Sequence, residues 1–371
     1  MIMEKLNICL VSLTIAPDSH DGAGKSFRGI FDYLRKQGHN VKLITGKWNI
    51  DLNDPDIIQF DLIRKRFLWA PQFIIKAVKY INSHDFDIFH GNAPKGTLPI
   101  ILSNKKKFIT TIHDLGPFET KFTKIPIEKQ LIKLVLQRAS FVTTVSNFIK
   151  REMKYFVPKV NKNKIFIHYN GIDEKFLPYP KEAEILKEKL KIHGPVLLYI
   201  GRIAFYKGVD DIIAAYQLAK KEIPDLNLVV GGTPDFQMEK KYEEWKVKYR
   251  DIYFVGFIEE QELPYYYSMG DVFVTYSFAS EGFGLTPIEA IACGTPVICS
   301  SMIAYKEILQ DNAIFVQPRR PQQLAREIVR VLKDKSITNN IIKNTQQLIT
   351  RYSWNSVGEK LEKIYFKFMN Q

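Results

Sequence analysis

Short apolar runs along this chain alternate with longer segments in which apolar residues recur every three or four positions, and that alternation predicts strands and helices in turn. In the first half the predicted strands are Leu6–Leu13, Val41–Thr45, Asp87–Gly91, Phe108–Ile112, Phe141–Val145 and Lys164–His168. Helical periodicity falls between them at Phe27–Gln37, where Gly38 supplies a stop, at Gln72–Ile81, and at Ile127–Arg138, which is apolar at Ile127, Leu131, Leu134 and Val135. A strand-helix-strand rhythm of this kind predicts a mostly parallel sheet. The second half repeats it: Val196–Ile200 is an almost continuous apolar run, as a strand buried on both faces requires. Leu226–Val230 before Gly231-Gly232, Ile252–Val255 before Gly256, Asp271–Tyr276, Val297–Ser300 and Ala313–Val316 follow, and Trp354–Met369 closes with a helical face of Val357, Leu361, Ile364 and Phe368.

At 371 residues the chain is long for one core and suits two domains. The turn Asn170-Gly-Ile-Asp173 and the proline-containing Leu177-Pro-Tyr-Pro180 predict the boundary near Lys175–Lys181, giving residues 1–177 and 181–350. With 46% hydrophobic residues the chain is a folded globular protein. Cys9, Cys293 and Cys299 lie in apolar stretches without metal-ligand spacing, so neither a disulfide framework nor a zinc site is suggested and a reducing cytoplasm is expected. The run Leu6–Ala16 carries Asn7 and lacks a cleavage signature, so it reads as a first strand and not a signal peptide, and no segment approaches the ~20 apolar residues of a membrane span.

Charge divides the chain unevenly. Residues 1–180 hold 28 Lys and Arg against 16 Asp and Glu, whereas residues 181–371 hold 25 against 24, so nearly all of the net +13 belongs to the first half. An anionic partner is expected there. Arg64-Lys-Arg-Phe-Leu-Trp69, Lys105–Lys107 and the helix Ile127–Arg138 interleave cations with apolar side chains, a pattern suited to an anionic membrane interface, with solvated surface as the plain alternative. No nucleic-acid-binding module accompanies the charge.

The stretch Ser280–Ser300, SEGFGLTPIEAIACGTPVICS, concentrates the candidate chemistry. Glu281 and Glu289 flank a turn in which Gly282 and Gly284 permit close backbone approach, Thr286-Pro287 opens a short helix, and Gly294 ends it before the strand Val297–Ser300. The loop falls at the carboxyl end of a strand, where ligands of α/β sheets collect. Thr286-x-x-Glu289 also fits a capping box, in which the glutamate serves only the helix. Earlier, Gly201-Arg202 ends a strand and Lys207-Gly208 opens the next helix, a cation pair suited to a diphosphate or simply surface charge. His113 projects from the end of the strand Phe108–Ile112, and neutral imidazole can carry a proton near pH 7. Ser146 reads as a helix cap. Ser19–Ser26, SHDGAGKS, falls one glycine short of a P-loop. The triplets Asp54-Pro-Asp56 and Asp85-Phe-Asp87 read as strand boundaries, and no metal ligand set emerges.

The pattern E-G-F-G-L-x-P-x-E-A-x-A-C-G-x-P-V resembles the donor-site motif of glycosyltransferase family 4, and G-R-x4-K-G resembles that family's diphosphate-binding motif, although Phe205 and Tyr206 are bulkier and less acidic than expected in it. The resemblance implies an α/β GT-B fold, two Rossmann-like domains facing across a cleft, with the helix 354–369 packing back on the first. It implies a retaining hexosyltransferase that uses a UDP- or GDP-linked sugar, a hydroxyl acceptor that is lipid-linked or soluble, and no metal or other cofactor. Residue by residue it implies that Glu281 contacts the transferred sugar, Glu289 grips the ribose, and Gly282, Phe283, Gly284 and Leu285 line the donor. Gly201, Arg202 and Lys207 face the diphosphate, Phe257 and Ile258 border the base, Gly22 and Gly24 face the donor phosphates and acceptor, and His113 hydrogen-bonds the sugar. A P-loop nucleotide hydrolase and a non-catalytic nucleotide-sugar-binding protein are the rival expectations.

Overall fold

The structure, a computed structural model, describes residues 4–371 apart from 20, 66–67, 120–125, 280 and 344. Two compact units divide the chain: Met1–Gly171 with Tyr352–Gln371, and Ile172–Arg351.

The first unit is built on a sheet of seven parallel strands, β1 (Asn7–Val11), β2 (Asn40–Lys47), β3 (Ile57–Asp61), β4 (Ile88–Asn92), β5 (Ile109–Ile112), β6 (Phe141–Thr144) and β7 (Ile165–Ile167), in the order β3-β2-β1-β4-β5-β6-β7. The order reverses between β1 and β4, which fixes a switch point at their carboxyl ends. β3 is the strand that periodicity misses: it is an edge strand, paired to β2 alone, and its half-exposed Ile-Ile-Gln-Phe-Asp carries no clear alternation.

The first helix, Gly22–Lys36, begins five residues before its apolar face does. The reason is Asp21, whose carboxylate accepts from the Gly24 N–H at 2.7 Å and caps the helix. Gly22, Gly24 and Lys25 therefore lie in a wound first turn, with Lys25 N–H bonded to the Asp21 carbonyl. The Gly24 N–H is thus taken by the protein's own carboxylate, and Ser19 stands where a P-loop carries its first glycine, both of which disfavour the hydrolase alternative.

The helix Trp354–Met369 belongs to this unit and packs Leu361, Tyr365 and Phe368 into its core beside Phe27, Phe31 and Leu34. Polar anchors accompany the apolar ones. The buried Glu362 carboxylate accepts from Tyr33 Oη at 2.7 Å and pairs with His39 Nε2 at 2.9 Å, and Tyr365 Oη meets the buried His90 Nδ1 at 2.7 Å. Gly358 allows the close approach, since a Cβ there would come within 2.4 Å of the Tyr33 ring.

The helix Pro126–Arg138 buries the predicted face only in part. Ile132, Val135 and Leu136 are buried, Leu131 and Leu134 are partly buried, and Ile127 is 71% exposed, with the helix Ala93–Leu102 packed alongside. Ser146 caps the helix Asn147–Phe156 by accepting from Ile149 N–H at 3.2 Å. Asp54 and Asp56 pair with Arg35 and Lys42, and Asp85 with Lys105, so both aspartate triplets are engaged in ion pairs at strand boundaries.

The second unit has six parallel strands, β8 (Val196–Ile200), β9 (Asn227–Gly231), β10 (Ile252–Gly256), β11 (Val272–Thr275), β12 (Val297–Ser300) and β13 (Ile314–Val316), in the order β10-β9-β8-β11-β12-β13. Every residue of β8, β11 and β12 is buried, which accounts for their unbroken apolar runs. Here the order reverses between β8 and β11. The three cysteines are buried and free.

Candidate functional site

The second unit's candidate residues gather beyond the carboxyl ends of β8 and β11, the two strands that bracket its switch point. β8 runs into Gly201-Arg202, and a single 3-10 turn, Phe205–Lys207, brings Lys207 back over the strand end. Gly208 closes that turn at φ 68°, where a side chain would come within 2.5 Å of the Tyr276 carbonyl, so the position requires glycine. β11 runs into Tyr276-Ser277 and then the glycine-bracketed loop at Glu281.

Lys207 Nζ meets Glu281 Oε1 in an ion pair whose side chains are 20% and 10% exposed. Ser277 Oγ donates to the same carboxylate oxygen at 2.7 Å. Burial alone would push the Lys207 ammonium down, but the adjoining Glu281 carboxylate reverses the effect and holds its pKa above the usual lysine value. Lys207 is therefore charged throughout the neutral range. Ser277 is a site residue that motif reading missed, and its signal was its place at a strand end four residues before Glu281. Arg202 extends from the same loop and donates through Nη2 to Tyr206 Oη at 2.5 Å.

Glu289 lies in the helix Leu285–Ala292, whose N-cap is Gly284 at φ 95°. Thr286 is thus already helical, and Glu289 stands five residues inside, so the capping-box alternative fails on geometry. The Glu289 side chain is 3% exposed and accepts from the buried Tyr267 Oη at 2.8 Å, an arrangement that holds the Tyr267 hydroxyl well above its usual pKa through burial first and the carboxylate second. Gly282 and Phe283 are buried, and Gly284 and Leu285 are partly exposed. Gly201 follows β8, with the Tyr199 hydroxyl donating to the Arg202 carbonyl at 2.9 Å. After β10, Phe257 is 43% exposed whereas Ile258 is buried against Gly231, where a Cβ would meet Ile258 within 2.4 Å.

In the first unit a smaller polar set occupies the corresponding place, past the ends of β1, β4 and β5. Asn92 donates to Ser12 Oγ at 2.8 Å and to the Ala23 carbonyl at 3.3 Å, which turns its amide oxygen toward His113 Nε2 at 2.7 Å. That orientation puts the ring proton on Nε2 and leaves the Nδ1 lone pair. His113 keeps a partly exposed edge, yet the protein around it pulls its pKa down to about 4 through lost solvation, with Asp21 opposing weakly. It is therefore a neutral hydrogen-bonding ring near pH 7. Gly22 and Gly24 lie beside this set in the capped first turn, with the Gly24 N–H taken by Asp21.

Among the described residues there is no group of three or more His, Cys, Asp or Glu side chains suited to a metal ion, and no helix is long and apolar enough to cross a membrane.

Comparison with known proteins bears on this arrangement. The family described as glycosyl transferases group 1 matches residues 181–348, and glycosyltransferase family 4 matches residues 20–176, so the two together span most of the chain. An uncharacterized glycosyltransferase of Methanocaldococcus jannaschii is 29% identical over 60% of this chain and 59% of its own length. The alpha-monoglucosyldiacylglycerol synthase of Acholeplasma laidlawii is 25% identical over 91% of each chain. Among solved structures, Anabaena HepE in complex with UDP and glucose superposes with a TM-score of 0.80 at 18% identity, covering 96% of this chain and 98% of that one. The paired parallel sheets are those of the GT-B class.

Proposed function

We propose, for a chain that belongs to glycosyltransferase family 4, that it moves a hexose from a UDP- or GDP-linked donor to a hydroxyl acceptor with retention of anomeric configuration. The observation that carries this reading is the Lys207–Glu281 pair at the β8/β11 switch point, with Arg202 in the same loop and Glu289 buried one helix further on. Before donor binds, Lys207 and Glu281 neutralise each other. A diphosphate arriving at Lys207 and Arg202 replaces the carboxylate as the ammonium's partner and frees Glu281 to accept from a sugar hydroxyl, while Ser277 keeps that carboxylate in place. Glu289, fixed by Tyr267, accepts from the ribose hydroxyls. Phe257 and Ile258 border the base, and Gly201, Gly282, Phe283, Gly284 and Leu285 shape the loop around the donor.

As the glycosidic bond to phosphate breaks, negative charge grows on the diphosphate. Two cations already in place stabilise that charge more than they stabilise the bound donor, which is the form of electrostatic preorganisation that raises turnover. The departing phosphate oxygen takes the acceptor's proton on the face it leaves, so the acceptor enters there and configuration is retained. No metal is required in this scheme, because Arg202 and Lys207 supply the neutralising charge. His113, neutral and oriented by Asn92, hydrogen-bonds a substrate hydroxyl and transfers no proton.

The acceptor is proposed to be lipid-linked or membrane-proximal. Supporting this, the first unit carries the chain's excess of positive charge and exposes Ile63, Leu68, Ile75, Leu102 and Ile127 among its lysines, and one relative is by name a glucosyldiacylglycerol synthase. Arg66 and Phe67 of the basic cluster at 64–69 lie outside the described residues. The test of the donor reading is a thermal-shift screen of UDP-, GDP- and ADP-sugars, in which a ligand at a hundred times its Kd adds about 2.7 kcal/mol of stability. Absence of any shift across the set would overturn it.

A further inference from the structure

We infer that Tyr206 is a positioning residue for the donor diphosphate, holding Arg202 and Lys207 as a fixed pair of cations while adding no negative charge of its own; the inference rests on the donor-site reading above. Tyr206 lies within the turn Phe205–Lys207. Arg202 Nη2 donates to its hydroxyl oxygen at 2.5 Å, and the guanidinium carbon stands 5.8 Å from its ring centroid. Lys207 Nζ stands 5.4 Å from the same centroid. One neutral ring thus contacts both cations, through its oxygen and through its π face.

The turn that carries the ring is itself held. Phe278 N–H donates to the Tyr206 carbonyl at 2.9 Å, Lys207 N–H to the Ala204 carbonyl at 2.9 Å, and Gly208 closes under the Tyr276 carbonyl. Phe205, next in the turn, packs edge-on against Phe278 with centroids 5.4 Å apart, and the Arg319 guanidinium covers Phe278 at 4.0 Å. A turn pinned on both sides fixes where its two cations point.

Charge gives a phenol a different effect here from the more acidic residue that the motif leads one to expect. Arg202, Lys207 and Glu281 sum to a single positive charge facing a dianion. A carboxylate at 206 would bind Arg202 more strongly than a phenol does, but would cancel that charge and repel the diphosphate. Tyrosine orients the guanidinium without this loss.

The experiment titrates the wild-type protein calorimetrically with UDP, GDP and ADP, then compares the tightest of these with its own monophosphate in Tyr206→Phe, Tyr206→Leu and Tyr206→Glu. The wild type is expected to prefer the diphosphate. That preference should fall about threefold in Tyr206→Phe, which keeps the ring and loses the hydroxyl, and about tenfold or more in Tyr206→Leu and Tyr206→Glu. Salt dependence should flatten in the glutamate variant as the local charge is cancelled. A merely structural tyrosine would weaken monophosphate and diphosphate together, and that result, or an unchanged preference in Tyr206→Phe and Tyr206→Leu, overturns the inference. Tyr206→Phe is close to isosteric, so it decides the matter even if the other variants fail to fold. Should the wild type bind none of the three diphosphates, the donor-site reading falls first.

Discussion

Lys207 and Glu281 lie 74 residues apart in the chain and form one ion pair, each brought to it by a different strand of the same switch point. Its position decides what each partner can do. A lysine kept charged by a carboxylate is ready for an anion, and a carboxylate held by a serine remains in place when the lysine turns away.

Breaking the pair from one side should therefore cost stability as well as activity. Lys207→Ala leaves the Glu281 carboxylate buried beside Ser277 alone, and the loss is expected to be about 3 kcal/mol. Glu281→Gln keeps the Ser277 contact and should cost less stability while lowering kcat strongly. Urea midpoints and turnover on both variants check the difference. Equal stability loss in the two would show that the pair is a structural strut and nothing more.

Glu289→Ala should weaken nucleotide binding by about tenfold or more, as loss of a charge-assisted bond to a ribose hydroxyl implies. Tyr267→Phe should weaken it less, because the carboxylate remains and only its orientation suffers. If both variants bind nucleotide as the wild type does, Glu289 serves the packing around Tyr267 instead.

These two glutamates show how far the sequence was legible and where it stopped. Val196–Ile200, Val297–Ser300 and Trp354–Met369 have the bounds their patterns predict, since two are buried on both faces and the third presents one clean apolar stripe. The glycine-flanked loop was legible because its backbone conformation restricts residue type: Gly284 at φ 95° could hardly be anything else. What did not show were partners chosen by tertiary contact. Tyr267 holding Glu289, Ser277 holding Glu281 and Asn92 turning His113 leave no periodic signal, and Asp21 starts a helix before its apolar face begins. The half-exposed edge strand Ile57–Asp61 was missed for the opposite reason, since little burial constrains its residues.

Stability should depend on pH through three histidines of the first unit, His90 and His168 buried and His113 partly so. Burial lowers His113 to about 4 and His168 to about 3, and lowers His90 as well. Below pH 6.5 the unfolded chain takes up protons that the folded ring does not, so the contribution is complete above 6.5 and is lost as pH falls through the window from 6.5 toward 4 and 3. Each such histidine adds a slope of up to about 1.4 kcal/mol per pH unit there. Urea midpoints at pH 7.5, 6 and 5 should fall in that order, with a shallower fall in His168→Gln. The same shift predicts that the rate profile between pH 6 and 8 shows no ionisation assignable to His113, and that His113→Asn lowers the rate without altering the profile's shape.

EDTA should leave turnover nearly unchanged, because Arg202 and Lys207 carry the charge neutralisation. An absolute requirement for a divalent cation, restored by adding one back, would contradict that part of the scheme.

Liposome sedimentation checks the acceptor side. Binding to anionic but not neutral vesicles is expected, weakening as salt rises and surface electrostatics are screened. Failure to bind either kind, with full activity on a soluble acceptor, would remove the membrane proposal and leave the donor chemistry standing.

Lys207 meeting a diphosphate is the central contact of the proposed reaction. Its direct test is calorimetric titration of the nucleotide sugar found by the thermal-shift screen into the wild type and into Lys207→Met, together with the anomeric configuration of the product read by proton NMR. Wild-type binding, affinity reduced about tenfold or more in Lys207→Met, and a product with the donor's configuration are the predicted results. Undiminished affinity in Lys207→Met, or an inverted product, would contradict the account.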